Sequence, residues 1–239
     1  MTRKTLWVVG AGSGMGRAAA VEAAPGRNVV LTGRRTTALQ ETAELVEAAG
    51  GAALVVPADV QSLDTISQSR DAIIDRFGAI NDLVLSAGLN TPRRTWAEQS
   101  LAEVNAVVAT NLTSVIAVAD AVLPELRACG GGQIVVVSSY SAWRFTPYAG
   151  VAYSASKSAL AAVCQTINAQ EATHGIRACH LCPGDVNSDF LDLRPVVPDE
   201  AARSAMLSPD DVGRAIRFVL DSPSHVRIDE LVISPVSQV

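Results

Sequence analysis

Aromatic side chains are scarce in this chain: Phe, Trp and Tyr make up only 4% of its 239 residues. A core with few large rings must be filled by Ala, Val, Leu and Ile, as buried parallel strands and Ala-rich helices fill it. Positive charge is in the minority, with 19 Lys and Arg against 24 Asp and Glu and a net charge of −5. That balance argues against a nucleic-acid partner. No run of 18 apolar residues free of charge occurs, so no membrane span is predicted. The N-terminus has no long apolar stretch of the kind found in secretory signals, and a cytoplasmic protein is expected. Cysteine is also sparse. Of the four, Cys129 and Cys164 have no Cys or His at ligand spacing. Cys179-His180-Leu181-Cys182 has the spacing of a redox or zinc motif. It falls in a strand-like run, however, where residues three apart point to opposite faces. No metal is expected, and all four cysteines read as small buried or semi-buried residues of a reducing compartment.

Apolar residues are abundant, at 49%, and they come in segments of alternating type. Strand-like runs cover Leu6–Val9, Asn28–Leu31, Ala53–Val56, Asp82–Leu85, Gln133–Val137, Ile176–Leu181 and Glu230–Ile233. Helical stretches lie between them near Met15–Ala24, Thr37–Ala49, Leu63–Arg76, Leu101–Arg127, Ala152–Thr173 and Pro209–Leu220. Strands alternating with helices predict an α/β fold, a doubly wound seven-stranded parallel sheet with helices on both faces. The chain is long enough for one such domain, and no repeat or linker divides it. The stretch 184–207 is the least regular. It follows the sixth strand, at the edge of the sheet where ligands bind, and is expected to cover a site as a substrate lid.

Two clusters carry chemistry. The run Leu6-Trp7-Val8-Val9 meets four glycines, Gly10, Gly12, Gly14 and Gly16, with Ala11, Ser13 and Met15 between them, and an Ala-rich helix follows. A strand, a Gly-rich turn and a helix N-terminus make a phosphate cradle. The second cluster is Tyr153-Ser154-Ala155-Ser156-Lys157. On a helix, Tyr153 and Lys157 share one face. A free Tyr titrates near ~10. A cation at ~4 Å, at an effective dielectric of ~20, favours its phenolate by about 4 kcal/mol. Taken alone, Tyr-x-x-x-Lys is common on helix surfaces, and a Gly-rich turn can be only a turn.

Taken together, Gly10-x-x-x-Gly14-x-Gly16 and Tyr153-x-x-x-Lys157 resemble the short-chain dehydrogenase/reductase family. The resemblance runs from about Lys4 to Ile233 and implies a single Rossmann-type domain over residues 1–239. It places Asp59 and Val60 against an adenine, Ala87 and Gly88 at the end of the fourth strand, and Pro183, Gly184, Val186 and Ser188 near a carboxamide. It makes Tyr153 the general acid and base, with Lys157 lowering its pKa and binding the nicotinamide ribose. Ser139 would hold the substrate oxygen, and Asn111 would position a water near Lys157. Three departures stand out. Leu85-Ser86 replaces a pair of asparagines. Ser139 precedes Tyr153 by 14 residues, one more than in most relatives, so that either Ser139 or Ser141 could face the substrate and the Trp143–Pro147 loop is expected to bulge. The first helix meets Ala24-Pro25-Gly26 and should end early.

The second strand ends in Gly33-Arg34-Arg35, where NAD enzymes usually carry an acid for the ribose 2′-hydroxyl. With no carboxylate there, Arg34 is expected to take a 2′-phosphate, which predicts NADP(H) over NAD(H). The substrate is expected to be a small carbonyl or alcohol. Candidates for its wall are Ser141, Trp143, Arg144 and Tyr148 before the Tyr-Lys helix, with Phe190 and Arg194 from the lid. The C-terminal stretches Leu207–Val212, Ser224–Ile228 and Ser234–Gln238 resemble NADP-dependent 3-hydroxy acid dehydrogenases acting on serine-like substrates. A larger ketone or aldehyde, or a dinucleotide sensor without turnover, remain alternatives. Small residues on two helices (Ala117, Ala119 and Ala121; Ala159, Ala161 and Ala162) would permit a homotetramer or homodimer.

Overall fold

The computed structural model describes residues 3–238. Its strands are β1 (Thr5–Val9), β2 (Asn28–Gly33), β3 (Ala52–Pro57), β4 (Asp82–Leu85), β5 (Gly132–Val137), β6 (Ile176–Pro183) and β7 (Glu230–Ile233). All pair in parallel, in the order β3-β2-β1-β4-β5-β6-β7. The helices are α1 (Gly14–Glu22), α2 (Thr36–Ala48), α3 (Leu63–Phe77), α4 (Leu101–Val108), α5 (Ser114–Ala128), α6 (Tyr140–Trp143), α7 (Val151–Gln170), α8 (Glu200–Ser204) and α9 (Pro209–Leu220).

The near-continuous apolar character of the central strands has a direct cause: both faces of the sheet are covered. Leu6, Val8, Leu31, Val84, Val135 and Leu181 pack in one cluster with residues of α1, α2 and α9. Their neighbours in sequence, Trp7, Val9, Val30, Leu83, Ile134 and Val136, pack in a second cluster with α3, α5 and α7. The alternation of period two is thus preserved, with both sets buried. Each fully buried Val, Leu or Ile contributes about 1.5–3 kcal/mol. Trp7 is a large ring in this core, and its indole N–H donates to the Thr32 hydroxyl at 2.8 Å.

Helix ends follow local chemistry. Ser100 with Glu103, and Ser208 with Asp211, form capping boxes at the starts of α4 and α9, and Pro209 occupies the first turn of α9. Helix α1 ends at Glu22, ahead of Pro25, as that proline requires. Between α4 and α5 the helix runs through a π-turn, Ala109–Thr113. The continuous Leu101–Ala128 helix, 28 residues long with an 18-residue stretch of mean hydropathy 1.8, is long and apolar enough to cross a membrane. Its inner residues Val107, Val115, Val118, Val122 and Leu126 are nevertheless buried.

Segment 184–207 is more regular than its composition suggests. It holds a 3-10 turn at Asp189–Leu193 and helix α8, and it is tied at its ends by a bridge between Val186 and Leu207. Ion pairs Arg194–Asp185 and Arg203–Asp192 brace it internally.

Candidate active site

Strand β1 lies between β2 and β4, so the chain reverses its winding there. That switch point opens a crevice at the C-terminal strand ends. Gly10, at the end of β1, has φ +86°, and a Cβ on it would lie 2.6 Å from the Ala87 nitrogen. Gly16 is tighter still, because a Cβ there would lie 2.1 Å from the Gly10 carbonyl oxygen. These two glycines let the end of β1, the start of α1 and the end of β4 meet. Arg17 fastens the turn by donating to the Gly12 carbonyl at 2.9 Å and to the Thr42 hydroxyl at 3.0 Å. Thr42 in turn donates to the Ala11 carbonyl at 3.0 Å. The first turn of α1 has no acid, and the Ser13 side chain makes no capping bond. The N-terminal N–H groups of α1 therefore stay available to an anion.

The cleft has a volume of about 310 Å³. Its floor is Gly10, Gly12, Ser13, Gly14 and Met15, and its walls include Gly33, Arg34, Arg35, Asp59, Val60, Ala87, Gly88 and Ser188. Arg34 and Arg35 are exposed, and Arg35 donates to the Ser13 hydroxyl at 3.2 Å. This donor set fits a dinucleotide: a helix N-terminus for the pyrophosphate, and two guanidinium groups with no acid on β2. Among the residues expected to bind the cofactor, Gly16, Pro183, Gly184 and Val186 do not line the cleft. Gly16 serves close packing. A Cβ on Gly184 would lie 2.3 Å from the Gln238 amide oxygen, so it too serves packing, and Val186 is buried beneath the bridge to Leu207. The cleft also includes Gln61, Ser86, Thr110, Ser138 and Asp189, which sequence reasoning did not single out as ligands. Their positions come from loop geometry that no local pattern reports.

Tyr153, Lys157 and Phe190 close one end of the cleft. Tyr153 sits on the first turn of α7, and its ring lies 6.0 Å from that of Phe190. Lys157 is buried, and its Nζ donates to the Val137 carbonyl at 2.9 Å. Lys157 Nζ lies 6.0 Å from the centre of the Tyr153 ring, and its hydrogen bond ties the ammonium to the end of β5. Burial pushes Lys157 down to about 8. Burial also raises the Tyr153 phenol above its ordinary value, while the Ser139 hydroxyl and the charges of Arg94 and Arg194 pull it the other way. Without a ligand, Tyr153 is therefore a protonated phenol, a group that can give a proton. Of the two serines, Ser139 acts on Tyr153, and its hydroxyl also accepts from the Ser141 N–H at 3.2 Å. Between Ser139 and Tyr153 the chain forms a short helix, α6, followed by a 3-10 turn at Pro147–Ala149.

Asn111 lies in the π-turn and is fully buried. Its side-chain oxygen accepts from the Leu89 N–H at 2.7 Å, and its amide donates to the Leu89 carbonyl at 2.9 Å and to the Ser156 hydroxyl at 3.2 Å. Its side chain is thus committed to the backbone beyond β4 and to α7. A Cβ on Gly88 would lie 3.6 Å from Lys157 Nζ and 3.7 Å from Asn111 Oδ1, so these groups converge there. Among the expected substrate residues, Phe190 reaches the cleft. Ser141 is half-buried, and Trp143, Arg144 and Tyr148 are exposed, Tyr148 to 85%. Arg194 is paired with Asp185. Arg94 escaped sequence reasoning altogether. On β6 and β7, ligand atoms of His180, Cys182 and Glu230 lie within 4.8 Å of one another, but burial pushes the Cys182 thiol up to about 12 and keeps it protonated.

A dinucleotide cleft that ends on a Tyr, a Lys and a Ser belongs to a class of oxidoreductases acting on alcohol and ketone groups. The comparisons give the family: the short chain dehydrogenase family matches residues 4–195, and the chain belongs to it. It is similar to an uncharacterised oxidoreductase of Listeria monocytogenes, 27% identical over 248 residues and covering 98% of this chain and 97% of that one. A second uncharacterised oxidoreductase, from Staphylococcus epidermidis, is 29% identical over 234 residues, covering 98% and 97%. Among solved structures, an alcohol dehydrogenase of the archaeon Thermococcus sibiricus in complex with 5-hydroxy-NADP superposes with a TM-score of 0.88. It is 28% identical and covers 99% of this chain and 98% of that one. A 3-ketoacyl-ACP reductase of Sinorhizobium meliloti gives a TM-score of 0.85 at 28% identity, with 96% of each chain covered.

Proposed function

We propose that this protein is an NADP(H)-dependent carbonyl reductase and alcohol dehydrogenase acting on a small 3-hydroxy or 3-oxo acid. The observation that carries the reading is the meeting of Tyr153 and Lys157 at the end of the glycine-floored cleft, with the Ser139 hydroxyl acting on the phenol. The bound nicotinamide supplies or accepts the hydride. Ser139 holds the substrate oxygen and stabilises the charge that develops on it. In reduction the Tyr153 hydroxyl gives its proton to that oxygen, and in oxidation the phenolate takes it back. Lys157, poised near pH 8, binds the ribose hydroxyls and resupplies the proton. Asn111 acts by holding Leu89 and Ser156, which fixes the wall beside Lys157.

The NADP preference rests on Gly33 standing where an acid would repel a 2′-phosphate, and on the exposed Arg34 and Arg35 beside it. The Thermococcus enzyme's 5-hydroxy-NADP is consistent with it. A larger ketone or aldehyde is the second reading, favoured by the exposed rings of Trp143, Phe145 and Tyr148. We further propose a cytoplasmic homotetramer or homodimer joined through α5 and α7, where Ala162 and Ile116 are exposed.

The test is the rate of reduced-nicotinamide oxidation with NADPH and NADH for wild type, Tyr153→Phe and Gly33→Asp. The phenol's loss should cut turnover about 10²–10⁴-fold while cofactor affinity stays within a few-fold. Gly33→Asp should move the preference toward NADH. Turnover that survives in Tyr153→Phe within a few-fold would overturn the mechanism.

A further inference from the structure

Arg94 lies in the connection after β4, outside the expected site. Its Nε donates to the Thr91 carbonyl at 2.7 Å, one terminal nitrogen to the Leu193 carbonyl at 2.7 Å, and the other to the Tyr148 carbonyl at 3.4 Å. Those carbonyls belong to three segments. Tyr148 is five residues before Tyr153, and Leu193 is three residues after Phe190, whose ring faces Tyr153. The guanidinium therefore sits at the seam of the walls around the catalytic phenol. Its neighbours hold it there. Buried Asn90 donates to the Ala149 carbonyl at 3.1 Å. Gly150 has φ +86°, and a Cβ on it would lie 3.0 Å from the Arg94 Cβ, so only a glycine lets this loop lie against the start of α7.

The charges around this guanidinium do not balance. The adjacent Arg93 pairs with Glu103 at 2.6 Å, but Arg94 has no carboxylate partner among the described residues and is half-buried. Arg194 is near enough to lower its pKa further, after burial. Arg194 does have a carboxylate, Asp185. Beside Tyr153 there are thus two guanidinium groups and the Lys157 ammonium, with Asp185 the carboxylate paired among them. A guanidinium has five N–H donors, and Arg94 uses three on neutral carbonyls. A partly desolvated cation with donors to spare is complemented by a carboxylate, through short charge-assisted bonds.

We propose that Arg94, seconded by Arg194, reads an anionic group of the substrate, so that the substrate is a hydroxy or oxo compound bearing a carboxylate close to its reacting carbon. This rests on the Tyr153-centred reading of the site. The alternative is that Arg94 only bolts three loops together.

The test compares acetoacetate with methyl acetoacetate, which share the reacting ketone and differ in the charge. Wild type, Arg94→Met and Arg94→Lys are assayed with NADPH. Arg94→Met should lower kcat/KM for the acid about ten- to a hundred-fold more than for the ester, chiefly through KM, as loss of a charged hydrogen bond predicts. Arg94→Lys should recover part of that selectivity. Any shared effect on fold or on Tyr153 cancels in the ratio. An unchanged acid-to-ester ratio, or a wild type that prefers the ester, overturns the proposal. Calorimetric binding of acetoacetate to protein loaded with NADP⁺, where hydride cannot move to the ketone, separates this from the reaction itself. Binding that weakens ten-fold or more in Arg94→Met supports the anion reader even if neither ketone is reduced. No binding, or equal binding in both proteins, refutes it.

Discussion

Replacing Lys157 with Met should make the ligand-free protein more stable near neutral pH while ending catalysis. Lys157 is buried on α7, and burial lowers its pKa from the ordinary 10.5 to about 8. That gap is a penalty of about 3 kcal/mol on the ammonium in the folded state. A folded pKa below the unfolded one means that the unfolded chain binds more protons between pH 8 and 10.5. Wild-type stability therefore rises with pH through this window. The penalty is complete below the folded value and gone above the unfolded one. Met keeps most of the side-chain volume, removes the charge, and deprives the Val137 carbonyl of its 2.9 Å donor, which costs about 1 kcal/mol. The variant should be about 2 kcal/mol more stable than wild type at neutral pH and about 1 kcal/mol less stable well above pH 10.5. Urea unfolding of both proteins across the range reads this difference, and other titrating groups cancel in the comparison. Curves that run parallel from neutral to alkaline pH would refute the buried, depressed ammonium.

Gly16→Ala would put a methyl group 2.1 Å from the Gly10 carbonyl oxygen. It should cost 1–3 kcal/mol or more as overpacking, lowering the thermal midpoint and weakening NADPH binding measured by fluorescence. Asn111→Ala removes three hydrogen bonds and leaves the Leu89 N–H and carbonyl without that partner. A loss of about 2–6 kcal/mol in urea unfolding is expected, at about 1–3 kcal/mol for each of the two orphaned groups. Asn111→Asp should recover part of that loss, because it retains an acceptor for the Leu89 N–H.

Much of the architecture was legible in the chain. The runs Leu6–Val9 and Val29–Leu31 are apolar at every position because both faces of each strand are buried, and that pattern alone implies helices on both sides. The cradle was legible as well, because only glycine tolerates the approach of Gly16 to Gly10. Segment 184–207 was misleading. Its prolines and acids read as irregular, yet Asp185, Arg194, Asp192 and Arg203 pair with one another and give it order. Periodicity carries no information about which charges will meet across a loop.

The site divides along the same line. Helical spacing dictated that Tyr153 and Lys157 share a face, and the composition of the second strand's end dictated two arginines in place of an acid. Both follow from covalent order over a few residues. The seat of the Lys157 ammonium was decided by a carbonyl on β5, 20 residues away in sequence. The partners of Asn111 and the seat of Arg94 against Tyr148 and Leu193 were fixed in the same way, by groups that only folding brings together. Sequence determines what a segment can form on its own. Burial and long-range contact, which set each ionisable group's dielectric and partners, belong to the tertiary structure.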